Sequence, residues 1–558
     1  MSEFFLVQRS NTADCDSASD LFKCPTKWHK THFMELPLTP LEFARRSRKL
    51  YSDREAVVDG DLDLTYEEFF QRCDRWSIAL RSLGVKQGDR VAYIAPNTHA
   101  TLESFYAVPQ LGAVLVPLNY RLIAEDFAYL INHSGARVVC AHSDYLDAVD
   151  GIRSQLPDVV SFVALEGTRE GWLDYETLIA DALVDGTFEP AQIEETDLLT
   201  INYTSGTTSR PKGVMITHRN AYINVVGTLI HHPMTMADRY LWTLPMFHAN
   251  GWTFVWTVTA VGGTHICLRK VEPASVFDKI KQESVTMLCA APTVLIGIAN
   301  GPEDLRREAR RGVRIVTAGA PPAAATIERV EGELGWVITQ AYGLTETSPF
   351  ITICESRPEY EGLSCADKSV IKACQGVELL TSGELRVVDE EGNEVPRDGQ
   401  SLGEIVVRGN AVMKGYYNDP EATARVIKDG WFHTGDAAVV HESGYAEIRD
   451  RMKDVIISGG ENISSVEVEG VLLRHPAVQE VAIVGLPHER WGEAPHAFVV
   501  LKSGAAVTED ELREFARDRL AHFKAPHGVT FVPELPKTAT GKVQKYVLRG
   551  GAAAIAKQ

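Results

Sequence analysis

The stretch YTSGTTSRPKGV, from Tyr203 to Val214, decides how the rest of the chain is interpreted. It follows an apolar run typical of a strand and brings hydroxyl side chains, glycine and lysine together within a few residues. Glycine lets the backbone approach phosphate oxygens, hydroxyls and amides donate hydrogen bonds to them, and lysine neutralises their charge. The stretch therefore predicts a polyphosphate-binding loop formed by Thr204, Ser205, Gly206, Thr207, Thr208 and Lys212.

Two other glycine-containing loops are excluded by the same residues. A Walker A loop needs glycine before its lysine and Ser or Thr after it, whereas this lysine lies between Pro211 and Gly213. A serine-hydrolase elbow centred on Ser205 needs glycine at the positions of Tyr203 and Thr207. The loop thus indicates polyphosphate binding of another kind.

Length and charge limit the classes of protein to consider. The chain has 558 residues, which is too long for a single hydrophobic core. With 45% hydrophobic and 23% charged residues, its composition is that of a globular protein. Its formal net charge is −19. Because nucleic-acid binding depends on phosphate neutralisation by Lys and Arg, we expect no nucleic-acid partner.

Cysteine usage and hydropathy predict the compartment. The nine cysteines form no CxxC pair and no zinc-like cluster in the sequence, so they are interpreted as reduced thiols. The first residues lack the basic start and apolar run of a signal peptide. Apolar stretches are well short of the roughly 18 residues that a membrane span needs. These features predict a cytoplasmic protein without a transmembrane segment.

The order of periodic segments predicts the architecture. Residues 1–32 are interpreted as an N-terminal extension, and residues 33–450 as a large domain. There REAVVDG, LTYEEFFQRCDRWSIALRSLGV and DRVAYIAP follow one another as strand, helix and strand. This alternation predicts α/β layers with mostly parallel sheets.

The later part of the chain has a different pattern. Short strand runs around Gly, Asn and Asp turns in SGELRVVDEEGNEVPRDGQSLGEIVVRG indicate a small antiparallel, barrel-like subdomain. After residues 451–453, residues 454–558 have their own strand runs, VAIVGLP and HAFVVLK, and a helix in EDELREFARDRLAHF. They are predicted to form a small α+β domain.

Further motifs follow the loop in a fixed order. They are TAGAPP (Thr317 to Pro322), QAYGLTET (Gln340 to Thr347), FHTGD (Phe432 to Asp436) and LPKTATGKVQK (Leu535 to Lys545). Together with the loop they resemble the adenylate-forming superfamily, which includes acyl-CoA synthetases, peptide-synthetase adenylation domains and firefly luciferase. One departure is Ser209, where the family usually has glycine.

The resemblance implies an ATP–Mg²⁺ site and roles for its residues. Tyr342 would pack on adenine, Thr345 would contact the α-phosphate, and Glu346 with Thr204 would bind Mg²⁺. Asp436 would accept hydrogen bonds from the ribose. The resemblance further implies that Lys453 is the hinge of a mobile C-terminal domain and that catalytic Lys542 contacts the reacting carboxylate. The other residues implied at the nucleotide are Gly319, Ala320, Pro321, Gln340, Gly343 and Arg451.

The acceptor of the acyl group is predicted from a second set of residues. Peptide-synthetase domains place Asp where this chain has His248, and an imidazole leaves a substrate ammonium unpaired. The segment FHANGW instead resembles acyl-CoA synthetases, with Phe247 and Trp252 lining the acyl pocket, His248 near the carboxylate and Val294 a weaker candidate. Coenzyme A would contact Gly459, Gly460, Asn462, Trp491, Phe523 and Lys524.

The resemblance implies an ATP-dependent acyl-CoA synthetase of fatty-acid metabolism. A fatty or related apolar acid would form an acyl-adenylate and then an acyl-CoA, with AMP and pyrophosphate as the other products. An aryl-acid CoA ligase is the alternative, and a luciferase-like or non-catalytic nucleotide-binding relative stays open. The oligomeric state is also open, with a homodimer as the expectation.

Overall fold

The computed structural model describes residues 35–182, 188–204, 210–459, 461–537 and 543–555, without the side chains of 551–555. The chain separates into two compact units, Met1–Pro37 and Leu38–Gln558, and all elements below belong to the second. None of the helices within the described ranges combines the length and apolar character that a bilayer crossing demands.

Strands and helices alternate through most of the second unit. The described strands are β1 (Glu55–Asp59), β2 (Leu62–Thr65), β3 (Arg90–Ile94), β4 (Val114–Pro117), β5 (Ala136–Ala141), β6 (Ser161–Ala164), β7 (Leu173–Asp174), β8 (Leu198–Thr204), β9 (Lys212–Thr217), β10 (Arg239–Leu241), β11 (Thr264–Ile266), β12 (Met287–Ala290), β13 (Arg314–Thr317), β14 (Val337–Gly343), β15 (Phe350–Ile353), β16 (Val377–Glu378), β17 (Glu384–Val388), β18 (Gly403–Arg408), β19 (Gly415–Tyr416), β20 (Ile427–Lys428), β21 (Trp431–Val440), β22 (Ala446–Arg451), β23 (Ile456–Ser458), β24 (Glu461–Ile463), β25 (Val478–His488), β26 (Gly492–Leu501) and β27 (Gly528–Phe531). The described helices are α1 (Leu41–Leu50), α2 (Tyr66–Ser82), α3 (His99–Ala107), α4 (Ala124–Ser134), α5 (Leu146–Asp150), α6 (Tyr175–Asp181), α7 (His218–His231), α8 (Ala249–Trp252), α9 (Phe254–Val261), α10 (Pro273–Gln282), α11 (Pro292–Ala299), α12 (Glu303–Glu308), α13 (Ala324–Arg329), α14 (Cys365–Lys372), α15 (Pro420–Val426), α16 (Ser465–Leu472), α17 (Glu509–Arg517) and α18 (Lys545–Ile555).

Two large sheets form the layers of the first part. One has nine strands in the order β16-β15-β14-β13-β12-β10-β11-β1-β2, and the other has eight in the order β19-β9-β8-β4-β3-β5-β6-β7. Neighbours from β14 to β1 and from β8 to β7 are parallel, whereas the remaining pairs of the two sheets are antiparallel. The predicted α/β layers are confirmed.

Local sequence explains these elements. Strands β4 (VLVP) and β12 (MLCA) are buried at every position, as expected for parallel strands covered on both faces. Helix α2 begins with a capping box, in which the Thr65 hydroxyl accepts from the Glu68 backbone amide and the Glu68 carboxylate accepts from the Thr65 amide. The strand–helix–strand order of β1 to β3 therefore agrees with the prediction.

Two smaller sheets follow. Strands β17-β18-β21-β20 form an antiparallel sheet in which β22 also pairs with β21, as the turn-rich sequence predicts. The last sheet, β24-β23-β26-β25, adds β27 parallel to β26. Helix α17 ends at Arg517, earlier than the run predicted to be helical. The end of that run forms a separate 3-10 turn before Pro526, whose ring disfavours helical backbone at the preceding residue.

Strand ends position the candidate site. Strand β8 ends at Thr204, where the phosphate-loop motif starts, and Thr317, the last residue of β13, pairs with Gln340 in β14. The site is therefore built from loops that leave neighbouring strands of the two large sheets.

Candidate active site

The two ends of the phosphate loop are joined by a strand pair. Strand β8 runs antiparallel to β9, and Thr204 pairs with Lys212 in their register. The Thr204 hydroxyl is 3.5 Å from the Lys212 carbonyl oxygen. The predicted phosphate ligands Ser205, Gly206, Thr207 and Thr208 lie outside the described residues, as does Ser209.

A tyrosine connects the loop lysine to the predicted metal carboxylate. The Lys212 ammonium lies 4.7 Å from the centroid of the Tyr416 ring, and the Tyr416 hydroxyl donates to Glu346 Oε1 at 2.9 Å. Burial raises the pKa of Tyr416, and the Glu346 carboxylate raises it further. The hydroxyl therefore stays a donor at neutral pH, and the three groups form one chain.

Sequence reasoning missed Tyr416. Its position depends on β19, which pairs with β9 across Val214 and Tyr416, about 200 residues apart in the chain. Two further bonds hold this segment, because the Asn220 side chain donates to the carbonyls of Asn410 and Val412 at 2.6 and 3.0 Å. No local pattern in the sequence announces such a pairing.

Glu346 lies in a tight turn after β14. Residues Thr345–Thr347 form a single 3-10 turn, and the Glu346 carbonyl accepts from the Met413 amide at 2.8 Å. Gly343 has no room for a side chain, since a Cβ there would lie 1.8 Å from the Pro349 carbonyl oxygen. Predicted Thr345 and Glu346 are thus held by backbone as well as by Tyr416.

Three predicted nucleotide residues come together at the antiparallel sheet. The Tyr342 hydroxyl donates to Asp436 Oδ2 at 2.7 Å, and Arg451 Nε lies 2.9 Å from Asp436 Oδ1. Burial and then the charge of Asp436 raise the pKa of Tyr342 well above its ordinary value. Burial opposes the Arg451 charge, but Asp436 keeps the pKa of Arg451 raised. The Asp436 side chain is therefore held from two sides.

Strands β13 and β14 carry two buried polar atoms with no hydrogen-bond partner among the described residues. These are Thr317 Oγ1 and Gln340 Oε1, on residues that face each other in the strand register. An unsatisfied buried acceptor or hydroxyl is costly unless a ligand or water completes it. Together with the neighbouring loop that holds Gly319, Ala320 and Pro321, these atoms fit a bound nucleotide base.

The predicted acid-binding segment adopts a left-handed turn. Ala249, Asn250, Gly251, Trp252 and Thr253 have φ angles of 43°, 57°, 54°, 51° and 67°. Left-handed backbone costs about 1–2 kcal/mol per non-glycine residue, so the surroundings must impose it. It is the longest run of consecutive positive φ angles among the described residues.

Buried amides impose this turn. Asn250 Oδ1 accepts from the Asn202 side chain at 2.9 Å, and Asn250 Nδ2 donates to the Thr200 hydroxyl at 3.0 Å. Asn202 also donates to the Phe247 carbonyl at 3.3 Å. Because Thr200 and Asn202 belong to β8, the strand that leads into the phosphate loop also fixes the turn beside His248.

The predicted acyl-pocket residues do not form one packed cluster. Phe247 packs edge-on against Tyr120, with ring centroids 5.3 Å apart. Trp252 is 3% exposed and packs edge-on against Phe350 at 5.7 Å. Val294 packs against a third cluster around α11. The structure therefore supports Trp252 as a pocket wall more than Val294, because its indole lies 3.6 Å from where a Cβ on Gly319 would sit.

The residues predicted to bind CoA are only partly grouped. The Gly459 amide donates to the Trp491 carbonyl at 2.9 Å, and a Cβ on Gly459 would lie 2.8 Å from the indole. Asn462 lies on β24, the strand paired with β23, whereas Gly460 is outside the described residues. Phe523 is exposed, but the Lys524 ammonium is bound to both Glu467 oxygens at 2.9 and 2.8 Å.

The two remaining predicted residues are the hinge residue Lys453 and the catalytic residue Lys542. Lys453 follows β22 closely, and catalytic candidate Lys542 lies outside the described residues. Nearby Lys545 is described: its ammonium lies 2.9 Å from Glu469 Oε1 and contacts the Ser465 hydroxyl, which donates to Asp450 at 2.5 Å. This buried chain ties the end of β22 to α16 and α18.

Comparisons with known proteins agree with this geometry. The family model described as AMP-binding enzyme matches residues 43–417, and the AMP-binding enzyme C-terminal domain matches residues 467–542. A relative named 4-hydroxybutyrate–CoA ligase 2 from Metallosphaera sedula is 42% identical, covering 93% of this chain and 95% of its own. A peroxisomal trans-cinnamate:CoA ligase from Petunia hybrida is 38% identical, with coverages of 92% and 94%.

A solved structure of a CoA ligase also matches this chain over most of its length. The crystal structure of an anthranilate CoA ligase in complex with anthranoyl-AMP superposes with a TM-score of 0.85 at 26% identity, covering 94% of this chain and 99% of the other. Matches that span both parts of the chain support the chemistry implied by the site. The chain therefore belongs to the AMP-binding enzyme family and is an AMP-forming acid–thiol ligase that uses ATP, Mg²⁺ and CoA.

Proposed function

We propose that this ligase activates a compact apolar carboxylic acid, a short fatty or related acid, and that its pocket ends at Trp252. This proposal rests on the buried indole, which packs edge-on against Phe350 and lies 3.6 Å from the position of a Cβ on Gly319. A buried side chain in this position leaves little room for a long chain. An aryl acid is the second candidate, favoured by the relative named for trans-cinnamate and the structure with anthranoyl-AMP.

The ATP-site residues divide the adenylation step among them. Glu346 and Thr204 would hold Mg²⁺, which neutralises phosphate charge. Lys212 binds the polyphosphate, Asp436 accepts from the ribose hydroxyls, and Tyr342 lies against the base. Lys542 bridges the substrate carboxylate and the α-phosphate, so that the two anions can approach. Attack of the carboxylate oxygen on the α-phosphorus expels pyrophosphate and leaves the acyl-adenylate.

Thioester formation is proposed for the small domain. Residues 454–558 would turn about Lys453 relative to residues 33–450 and bring Gly459 and Gly460 to the acyl-adenylate. The CoA thiol then attacks the acyl carbon and releases AMP. Asn462, Trp491 and Phe523 would contact CoA, whereas Lys524 must first leave Glu467. Cytoplasmic location and a homodimer stay predictions, and one relative's name places that relative in peroxisomes.

An acid panel tests the substrate proposal. CoA consumption is measured with short, medium and long aliphatic acids and with benzoate- and cinnamate-like acids. We expect the highest kcat/KM for a short aliphatic acid, and Trp252→Ala should shift the preference to longer acids by about tenfold or more, since one methylene is worth about 1–3 kcal/mol. A wild-type optimum at long-chain acids would contradict the proposal, and an optimum at aryl acids would select the second candidate.

A further inference from the structure

Three metal-binding side chains converge where the hairpin of β21 and β22 meets the segment after α14. The ligand atoms of Cys374, His441 and Glu447 lie within 4.8 Å of one another. His441 Nε2 is 2.7 Å from a Glu447 carboxylate oxygen. All three residues are half-buried, so an ion from solvent can reach them. None of them contributes to the ATP site described above.

Backbone bonds fix the cysteine relative to the glutamate. The Gln375 amide donates to the Ala446 carbonyl at 3.0 Å, and the Ala446 amide donates to the Gly376 carbonyl at 2.8 Å. The Ile448 amide donates to Gln375 Oε1 at 2.5 Å. These bonds lie on both sides of Glu447 and immediately after Cys374. The two ligands are therefore held by rigid chain segments, as a metal site requires.

The hairpin fixes the third ligand. The His441 amide donates to the Tyr445 carbonyl at 2.9 Å, and the Gly444 amide donates to the His441 carbonyl at 2.8 Å. Since Glu447 belongs to the adjoining strand, the imidazole and the carboxylate face each other across the turn. Because the three ligand atoms already lie within 4.8 Å of one another, small side-chain movements would let them bind the same ion.

The donor set selects the kind of ion. Thiolate, imidazole and carboxylate together suit zinc, whereas Mg²⁺ and Ca²⁺ prefer oxygen ligands only. Thiolate and carboxylate balance the charge of a divalent ion. The Arg449 guanidinium, 3.1 Å from Glu447 Oε2, can orient that carboxylate from outside the coordination sphere.

We propose that Cys374, His441 and Glu447 bind one zinc ion, with water as the fourth ligand. On binding, the Cys374 S–H bond breaks, the sulfur bonds to zinc and the proton passes to solvent. His441 binds through Nε2 with its proton on Nδ1, so metal bonds replace the present contact with Glu447. Zinc at this position clamps the hairpin whose opposite end holds Asp436 and Arg451.

The test uses the full-length protein after removal of metals with a chelator. Zinc is added in competition with a chromophoric chelator, in excess Mg²⁺, and the metal content is measured after gel filtration. Cobalt serves as a spectroscopic probe of the thiolate. The variants are Cys374→Ser, His441→Gln and Glu447→Gln, and Cys365→Ser is the matched control, because that exposed cysteine lies outside the cluster. Melting temperature without metal checks that each variant is folded.

We expect one zinc per chain, a thiolate-to-cobalt charge-transfer band and a higher melting temperature with zinc. Each cluster variant should lose the zinc equivalent, Cys374→Ser should lose the band, and Cys365→Ser should retain both. Wild-type protein that binds no zinc, or a zinc equivalent that survives in all three cluster variants, overturns the proposal. If the cluster variants do not fold, the cobalt band of wild type and of Cys365→Ser decides alone.

Discussion

At the scale of single residues, Tyr416 is the contact that joins the loop lysine to the proposed metal carboxylate. Its hydroxyl donates to Glu346 and its ring lies under the Lys212 ammonium. Both partners are proposed to act on the polyphosphate, so we interpret Tyr416 as a positioning residue. It does not itself touch the reacting atoms in this interpretation.

Removing the hydroxyl tests this role. A hydrogen bond to a charged group contributes about 1.5–3 kcal/mol. In Tyr416→Phe we therefore expect acid-dependent ATP–pyrophosphate exchange to fall by at least about tenfold at low Mg²⁺ and to recover partly at high Mg²⁺. Thioester formation from supplied acyl-adenylate should persist. Tyr417→Phe is the adjacent control, and equal exchange in both variants at every Mg²⁺ concentration contradicts the assignment.

A second residue-scale prediction concerns stability and pH. Burial opposes the His99 charge, but hydrogen bonds to Asp59 and Glu176 raise the pKa of His99 to about 9. Because the pKa of His99 is higher in the folded protein, its protonation adds to the free energy of unfolding. This contribution is complete below the unfolded pKa of about 6.5 and is lost as the pH rises through about 9. The melting-temperature difference between wild type and His99→Asn should therefore be largest below pH 6.5 and shrink toward pH 10.

His232 provides the opposite case. Burial lowers its pKa to about 4, so the fold favours neutral imidazole and this contribution is lost as pH falls from about 6.5 toward 4. The melting-temperature difference between wild type and His232→Asn should therefore shrink only as the pH falls below about 6.5. A His99→Asn difference that is constant or grows with pH would show that His99 is not held protonated.

At the scale of elements, the left-handed turn Ala249–Thr253 shapes the acid-binding segment. Its backbone is imposed by the amide network from β8, and Gly251 lies where any Cβ would be 2.5 Å from the Trp242 ring. We expect Gly251→Ala to raise the KM for the acid and to lower the unfolding free energy by about 1–3 kcal/mol, as overpacking does.

A helical glycine is the control for this prediction. Gly470 in α16 has nothing within 4 Å of the position that an alanine methyl group would take, so Gly470→Ala should leave the acid KM unchanged. Acid titrations and thermal unfolding measure the two effects. An unchanged acid KM in Gly251→Ala would separate this turn from acid binding.

Element type was more predictable than element partnership. Strand and helix runs such as those of β1, α2 and β3 carry their own periodicity. The family resemblance assigned Tyr342, Asp436 and Arg451 to the nucleotide, and their side chains contact one another in the structure. The role of Tyr416 and the left-handed turn depend on strand pairing and on buried amides distant in sequence. Residue periodicity contains no information on either.

At the scale of the whole molecule, one site is proposed to serve two successive reactions. The two large sheets and the antiparallel sheet carry the residues proposed for the nucleotide, and the C-terminal part carries Lys542 and the glycines proposed for CoA. The buried chain of Asp450, Ser465 and Lys545 joins these parts at the end of β22. Family membership shows the overall ligase reaction. The assignment of particular steps to the large part and to the C-terminal part is our proposal.

We propose that Lys542 serves adenylation but not thioester formation. The two half-reactions are measured separately for wild type, Lys542→Ala and the exposed-lysine control Lys270→Ala: acid-dependent ATP–pyrophosphate exchange without CoA, and AMP release from supplied acyl-adenylate with CoA. We predict that Lys542→Ala abolishes exchange while AMP release persists, and that the control retains both. Equal loss of both half-reactions in Lys542→Ala, with the protein folded, would show that Lys542 is not specific to adenylation.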